Sequence, residues 1–166
     1  ATINDQLINT TASSQVVNYT VIPTFNQCTG TSQVVAVTVN SSPTITSASA
    51  LTICSGDALN FALTSNISGT TFNWVAAATA DVSGESTTAQ NTGIISDVLN
   101  NLTLSDQQVV YTVTPTFNGC TGATQTLTIT VKPRPQISPV NPLTICSGQS
   151  LNVPLFTNIT GASISW

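Results

Sequence analysis

Four cysteines and six carboxylates are the groups in this sequence with chemistry to offer, and no histidine is present to activate either kind. Cys28 and Cys120 stand 92 positions apart, as do Cys54 and Cys146. Thiols at fixed, recurring positions, without His and without a paired CxxC, suit disulfides better than a zinc site or a nucleophile. The acids are Asp5, Asp57, Asp81, Glu85, Asp97 and Asp106. Two carboxylates held roughly 5–9.5 Å apart can hydrolyse a glycoside, and Asp81 and Glu85 share one loop. A thin sandwich has no deep pocket to raise the pKa of one of them, so they read as solvated loop acids. The expectation is a chain that is not an enzyme, with no catalytic residues, no metal site and no cofactor. Structural calcium is the one ion considered, because loop acids between stacked modules can supply oxygens and the Asp97 position recurs as Asp5; no DxD-like cluster accompanies them.

The elements that must position these groups are strands. Of 166 residues, 40% are apolar and only 5% charged, against about 25% charged in an ordinary soluble domain. Thr (30), Ser (19) and Asn (15) supply the water-facing groups instead. Thr is β-branched and fits a pleated, half-wet surface, so the composition reads as all-β. Lys132 and Arg134 are the only basic residues, and the net charge is −4. A phosphate backbone would find no basic surface, which excludes nucleic acid as a partner. No run approaches the ~18 apolar residues that span a bilayer, so no membrane insertion is expected in this segment. Ala1 opens no signal-like pattern, and any export signal is expected to lie outside it.

The offset of 92 extends beyond the cysteines to Trp74 and Trp166. Laying residues 1–74 on 93–166 without a gap gives 36 identities in 74. The matching words are YT-V-PTFN-CTG, from Tyr19 and from Tyr111, and LTICSG, from Leu51 and from Leu143. The expectation is a 92-residue tandem repeat, seen through a window that opens and closes partway through a module and belongs to a longer array. Proline-bearing stretches at 40–43 and 132–135 mark the boundaries. Residues 1–40 then form the C-terminal part of one repeat, 43–132 a complete repeat, and 135–166 the N-terminal part of the next.

Within 43–132, period-2 alternation and turn residues predict strands at 44–53, 59–63, 71–75, 93–99, 107–117 and 123–131, with a loop or weak edge strand at 80–91. Some seven short strands with a lone Trp on the third predict an immunoglobulin-like β-sandwich. Its core is expected around Trp74, with Val109, Tyr111 and Val113 facing Leu59, Phe61 and Leu63, and with Trp166 in the corresponding place of the next module.

The order of LTICSG, an alternating strand, a Trp, and then YTVTPTFNGCTG ahead of a Thr-rich strand resembles the PKD-like repeats of very large Bacteroidota surface proteins. The resemblance covers the whole window. It implies tandem Ig-like/PKD-like β-sandwich modules, export by the type IX route, and a place in an extracellular adhesin or filament used in attachment or gliding motility. The WDFGDG-type word of the broader family is absent, since Val75, Ala76 and Ala77 follow Trp74, so a carbohydrate-binding role does not carry over.

Three cysteine pairings are open. Cys54 and Cys120 lie at turns on opposite ends of an Ig-like module, roughly 25–30 Å apart, whereas a disulfide needs Cα atoms within about 7 Å. Stacking would set Cys54 against the Cys28/Cys120 equivalent of the following module. Pairing Cys28 with Cys54, and Cys120 with Cys146, would need the linker to fold back. Other specialised readings are weaker. A Thr grid for a flat lattice, Thr112, Thr114 and Thr116 beside Thr124, Thr126, Thr128 and Thr130, breaks at Ile22, Val34 and Ala36 in the other copy. The sole Lys is in a linker, which leaves nothing for isopeptide bonds. The NxS/T sequons at Asn9, Asn18, Asn40, Asn66, Asn101 and Asn158 are expected from composition.

The function expected is a non-catalytic stalk or filament segment of a bacterial cell-surface adhesin. Its partners would be neighbouring repeats and possible further copies in a fibre, including front and back halves exchanged between chains, together with an unidentified surface ligand. The alternative is a ligand-binding adhesin module that uses the 80–91 loop.

Overall fold

A computed structural model describes residues 1–166, and every regular element in it is a strand. The strands are β1 (Gln15–Val21), β2 (Thr24–Phe25), β3 (Cys28–Thr29), β4 (Gln33–Val39), β5 (Ala50–Cys54), β6 (Phe61–Ala62), β7 (Thr71–Ala76), β8 (Val82–Ser83), β9 (Ile94–Ile95), β10 (Asn100–Asn101), β11 (Gln107–Phe117), β12 (Cys120–Thr121) and β13 (Gln125–Lys132). The architecture is all-β, as the composition predicts.

One sheet runs β7–β11–β13–β5, with β12 extending the tip of the β11–β13 hairpin. β11 is antiparallel to both β7 and β13, while β13 and β5 are parallel, with Lys132 beside Cys54. The facing layer is built from short pieces: β6 with β9, β8 with β10, and single bridges at Ile45–Ser65 and Ala58–Val98. Alternation decides which side chains enter the gap. Along β11, Val109, Tyr111 and Val113 are buried, as are Leu127, Ile129 and Val131 along β13. They meet Leu59, Leu63, Ile95 and Leu99 from the other layer in a cluster of 14 residues, all between 59 and 131.

The stretch expected as one strand over 44–53 is two. Ile45 bridges to Ser65 in one layer, and β5 then joins β13 in the other. The small residues between, Ser47, Ala48 and Ser49, carry no large apolar group to hold the chain to either layer, so the chain crosses from one to the other there. The 80–91 stretch is an edge: β8 pairs with β10, and Gln90 exchanges both backbone hydrogen bonds with Trp74 at 2.8 and 2.9 Å.

Outside this body, β1 and β4 form a hairpin at 1–40, and residues 133–166 contain no named strand.

Candidate functional site

The sandwich has two poles, and the sequence words LTICSG and PTFNGCTG build one each. The chain enters at Pro43, beside the β11–β13 hairpin tip, and leaves at Lys132, beside Cys54. At the exit pole the Ser55 amide donates to the Lys132 carbonyl (2.8 Å) and the Gly56 amide to the Leu99 carbonyl (2.8 Å). Gly56 has φ +83, a conformation that suits glycine. The Ser55 hydroxyl accepts from the Asn101 amide at 3.0 Å, and the Asn101 side chain donates to the Val131 carbonyl at 2.7 Å. The CSG word thus ties the first turn to the last strand. Arg134 adds an exposed ion pair to Asp57 at 2.6 Å, and Lys132 one to Asp106 at 2.9 Å.

At the entry pole, Asn118 (φ +46) and Gly119 (φ +77) make the two-residue hairpin turn for which Asn-Gly is suited. The linker lies against this hairpin. Ser41 is 1% exposed and Pro43 is fully buried. A Cβ on Gly122 would overlap the Pro43 carbonyl, so only glycine lets the linker sit so close. The Asn40 side chain approaches the Asn118 carbonyl at 3.5 Å.

Between the poles, Tyr111 packs edge-on against Trp74 with ring centroids 5.8 Å apart. Its hydroxyl donates to Asp97 Oδ2 at 2.7 Å, and the amide and hydroxyl of Ser86 donate to the same carboxylate at 2.8 Å each. Burial first, and then the Asp97 carboxylate, hold the Tyr111 phenol protonated far above its ordinary range. The hydrogen bond from Tyr19 to Asp5 (2.9 Å) raises the Tyr19 phenol, with smaller contributions from desolvation and the Asp5 charge. Asp5 and Asp97, considered above as calcium ligands, are tyrosine acceptors. Asp81 lies at the edge, where its carbonyl accepts from the Leu102 amide, and Glu85 accepts from the Thr79 amide at 3.2 Å. No group of three or more Cys, Asp or Glu side chains could hold a metal ion.

The cysteines divide between the poles. Cys54 is beside Lys132, and Cys120 is opposite Phe117 at the far end of β11. All four thiols are free, and a Cys54–Cys120 bond is out of reach because the length of the sheet separates them. The family model of the PKD-like domain matches residues 1–43 and 51–135, more than half of the chain. The chain belongs to the PKD-like domain family. PKD-like domains are typically extracellular and generally non-catalytic, and membership suggests a structural or adhesion module. No curated protein matches the chain. No helix is long and apolar enough to cross a membrane.

Of the residues named for the core, Trp74, Tyr111 and Leu59 are buried, and Phe61 packs half-buried against them. Trp166, expected in the corresponding place of the next module, stands fully exposed. Trp74 is covered by β11 and the Gln90 edge, which follow it in sequence, and no such strands pack on residues 135–166. Sequence reasoning missed the asparagines. In the sequence Asn101 and Asn66 read as sequons expected from composition, yet Asn101 clamps the exit pole and Asn66 Oδ1 accepts from the Thr44 amide at 2.8 Å. The signal was present, since Asn9 and Asn158 repeat them at the 92-residue offset.

Proposed function

We propose that this PKD-like chain is a load-bearing spacer of a large bacterial cell-surface adhesin or filament, of the Bacteroidota kind exported by the type IX route and used in attachment or gliding. Residues 43–132 act as one complete module, with 1–40 and 135–166 as parts of its neighbours. The observation that carries this reading is the buried linker. A flexible tether would leave Ser41 and Pro43 in water, whereas here they pack under the hairpin at Gly122. Successive modules are thereby held at a fixed angle, which a spacer needs and an isolated binding domain does not. The carbohydrate-hydrolase and metal readings have no arrangement of acids to support them.

The 80–91 rim is the weaker reading as a ligand site. Ser86 is engaged by Asp97, Gln90 by the Trp74 backbone, and Asn91 Oδ1 accepts from the Asn73 side chain at 2.7 Å. Groups that would greet a ligand are already bonded inward.

Pulling the full chain by its ends tests the proposal. The expected trace has one major unfolding event releasing roughly 300 Å, the extended length of the central module. Gradual lengthening at low force, without that event, would remove the spacer reading.

A further inference from the structure

The central sandwich has both of its layers, so what it leaves in water is its own surface. Its exposed large apolar residues are Leu51, Ile94, Val98, Leu102 and Leu104. Scattered singly, such residues would be ordinary. Here all but Leu51 fall between 94 and 104. Along that stretch every even position is exposed, while Ile95 and Leu99 are buried and Asp97 turns inward to Tyr111. Alternation therefore sets Ile94, Ser96, Val98, Asn100 and Leu102 in one row on the outer side of the layer, about 27 Å long.

The row lies within the module: Ile94 is beside Ala62, Val98 is beside Ala58, and the Leu102 amide donates to the Asp81 carbonyl at 2.9 Å. Its exit end is also clear of a following module. At the junction of 1–40 with 43–132, the counterparts of Leu102 and Leu104 are Thr10 and Ala12, and both stay exposed although the next sandwich is in place. Nor does the fold demand aliphatic groups here. At the 92-residue offset the buried Ile95 and Leu99 remain Ile3 and Leu7, whereas Ile94, Val98 and Leu102 become Thr2, Gln6 and Thr10.

We propose that this row is a lateral contact between two copies of the chain, lying antiparallel about a two-fold axis through Val98. The order of residues carries the assignment. Outward from Val98, either direction gives a small polar residue and then an aliphatic one: Ser96 and Ile94 one way, Asn100 and Leu102 the other. Turned about Val98, the row fits itself, as an isologous interface requires. Val98 meets Val98, Ile94 meets Leu102, and Ser96 meets Asn100.

The polar pair is matched as well. Within the chain the Asn100 side chain makes one long hydrogen bond, from Nδ2 to the Val98 carbonyl at 3.5 Å. That leaves Oδ1 free to accept, and the Ser96 hydroxyl of the second copy can donate to it. None of the five residues is charged, so two copies meet without like-charge repulsion.

Ile94, Val98, Leu102 and Leu104 are 54%, 46%, 63% and 60% exposed. Together they present roughly 400 Å² of apolar surface, the scale at which a patch on a monomer marks an interaction site. Two such rows would bury about 800 Å² in all, short of the ~1,200–2,000 Å² of a stable complex. The contact is accordingly weak between free chains and gains from a high local concentration. Rods anchored side by side supply that concentration, and to this extent the contact rests on the spacer reading above.

The test uses the full chain under reducing conditions. Sedimentation equilibrium of the parent is expected to show a weak dimer that appears as concentration rises. Val98→Lys sets two cations face to face on the axis and Val98→Asp two anions, so each variant alone should dimerise at least about tenfold more weakly. Both should melt as the parent does, because Gln6 fills this place in the other repeat. Mixed, they set Lys against Asp, and association should return to parent strength or better as a heterodimer. Only a contact that meets itself at residue 98 behaves in this way. Ile94→Thr combined with Leu102→Thr installs the other repeat's residues and should weaken the parent dimer by a similar factor.

A parent that stays monomeric up to concentrations on the order of 1 mM overturns the proposal. So does association that ignores Val98→Lys and the double Thr variant, or a mixture no tighter than either charged variant alone. The unfolding event on pulling is read within one chain, so it stands or falls separately from this contact.

Discussion

The central sandwich and the two flanks are nearly the same sequence in opposite circumstances. Tyr111 is fully buried and Tyr19 is half-exposed; Trp74 is 3% exposed and Trp166 entirely so. Residues 92 apart even keep their local bonds, since Tyr19 holds Asp5 as Tyr111 holds Asp97. Turns, clamps and hairpins are therefore local properties, carried by each half alone. Burial is not local, because it needs the second layer.

The sharpest way to break the comparison is at the tryptophans. Trp74→Ala should cost about 3–5 kcal/mol of stability to urea, while Trp166→Ala in dilute, reduced protein should leave the unfolding midpoint where it was. Equal effects would mean that the flank already has a packed core. Glycines give the next largest contrast. Gly122→Ala drives a Cβ into the Pro43 backbone and should destabilise by roughly 1–3 kcal/mol. Gly30→Ala meets the Pro23 side chain, which can shift, and should be milder in the same assay.

The tyrosines should separate in alkali. Because the folded-state pKa of Tyr111 is raised, its contribution is intact below pH 10 and declines as pH climbs above that unfolded value, by at most about 1.4 kcal/mol per pH unit. In a pH titration of stability, Tyr111→Phe should flatten this decline. Tyrosinate absorbance should appear first from Tyr19 and from Tyr111 only as the sandwich opens. The smallest effect is expected at the hairpin tips. Gln27 occupies a left-handed conformation (φ +63) where its counterpart is Gly119. Gln27→Gly should relieve about 1–2 kcal/mol of local strain, seen as slower amide exchange in β2 and β3 without any change in global melting.

Much of this was legible beforehand because alternation reports on faces. Val109, Tyr111 and Val113 announce a buried side whatever lies opposite. The sheet crossing at Ser47 to Ser49 was not legible, since small residues leave alternation silent about which layer a strand joins. Asn101 escaped for another reason: in so Asn-rich a chain its side-chain amide looks like solvation, and only the Val131 carbonyl identifies it as a clamp. The exposure of Trp166 could not be read from its own neighbourhood, because the cover of Trp74 comes from β11, more than 30 residues later.

The parallel pairing of β5 with β13 has a mechanical meaning. The chain enters at one pole and leaves at the other, so tension drags the first of these strands backward while it pulls the last one forward. Their five register pairs, Ala50 with Thr128 through Cys54 with Lys132, are then loaded in shear and must fail together, where strands peeled from one end would give way a bond at a time.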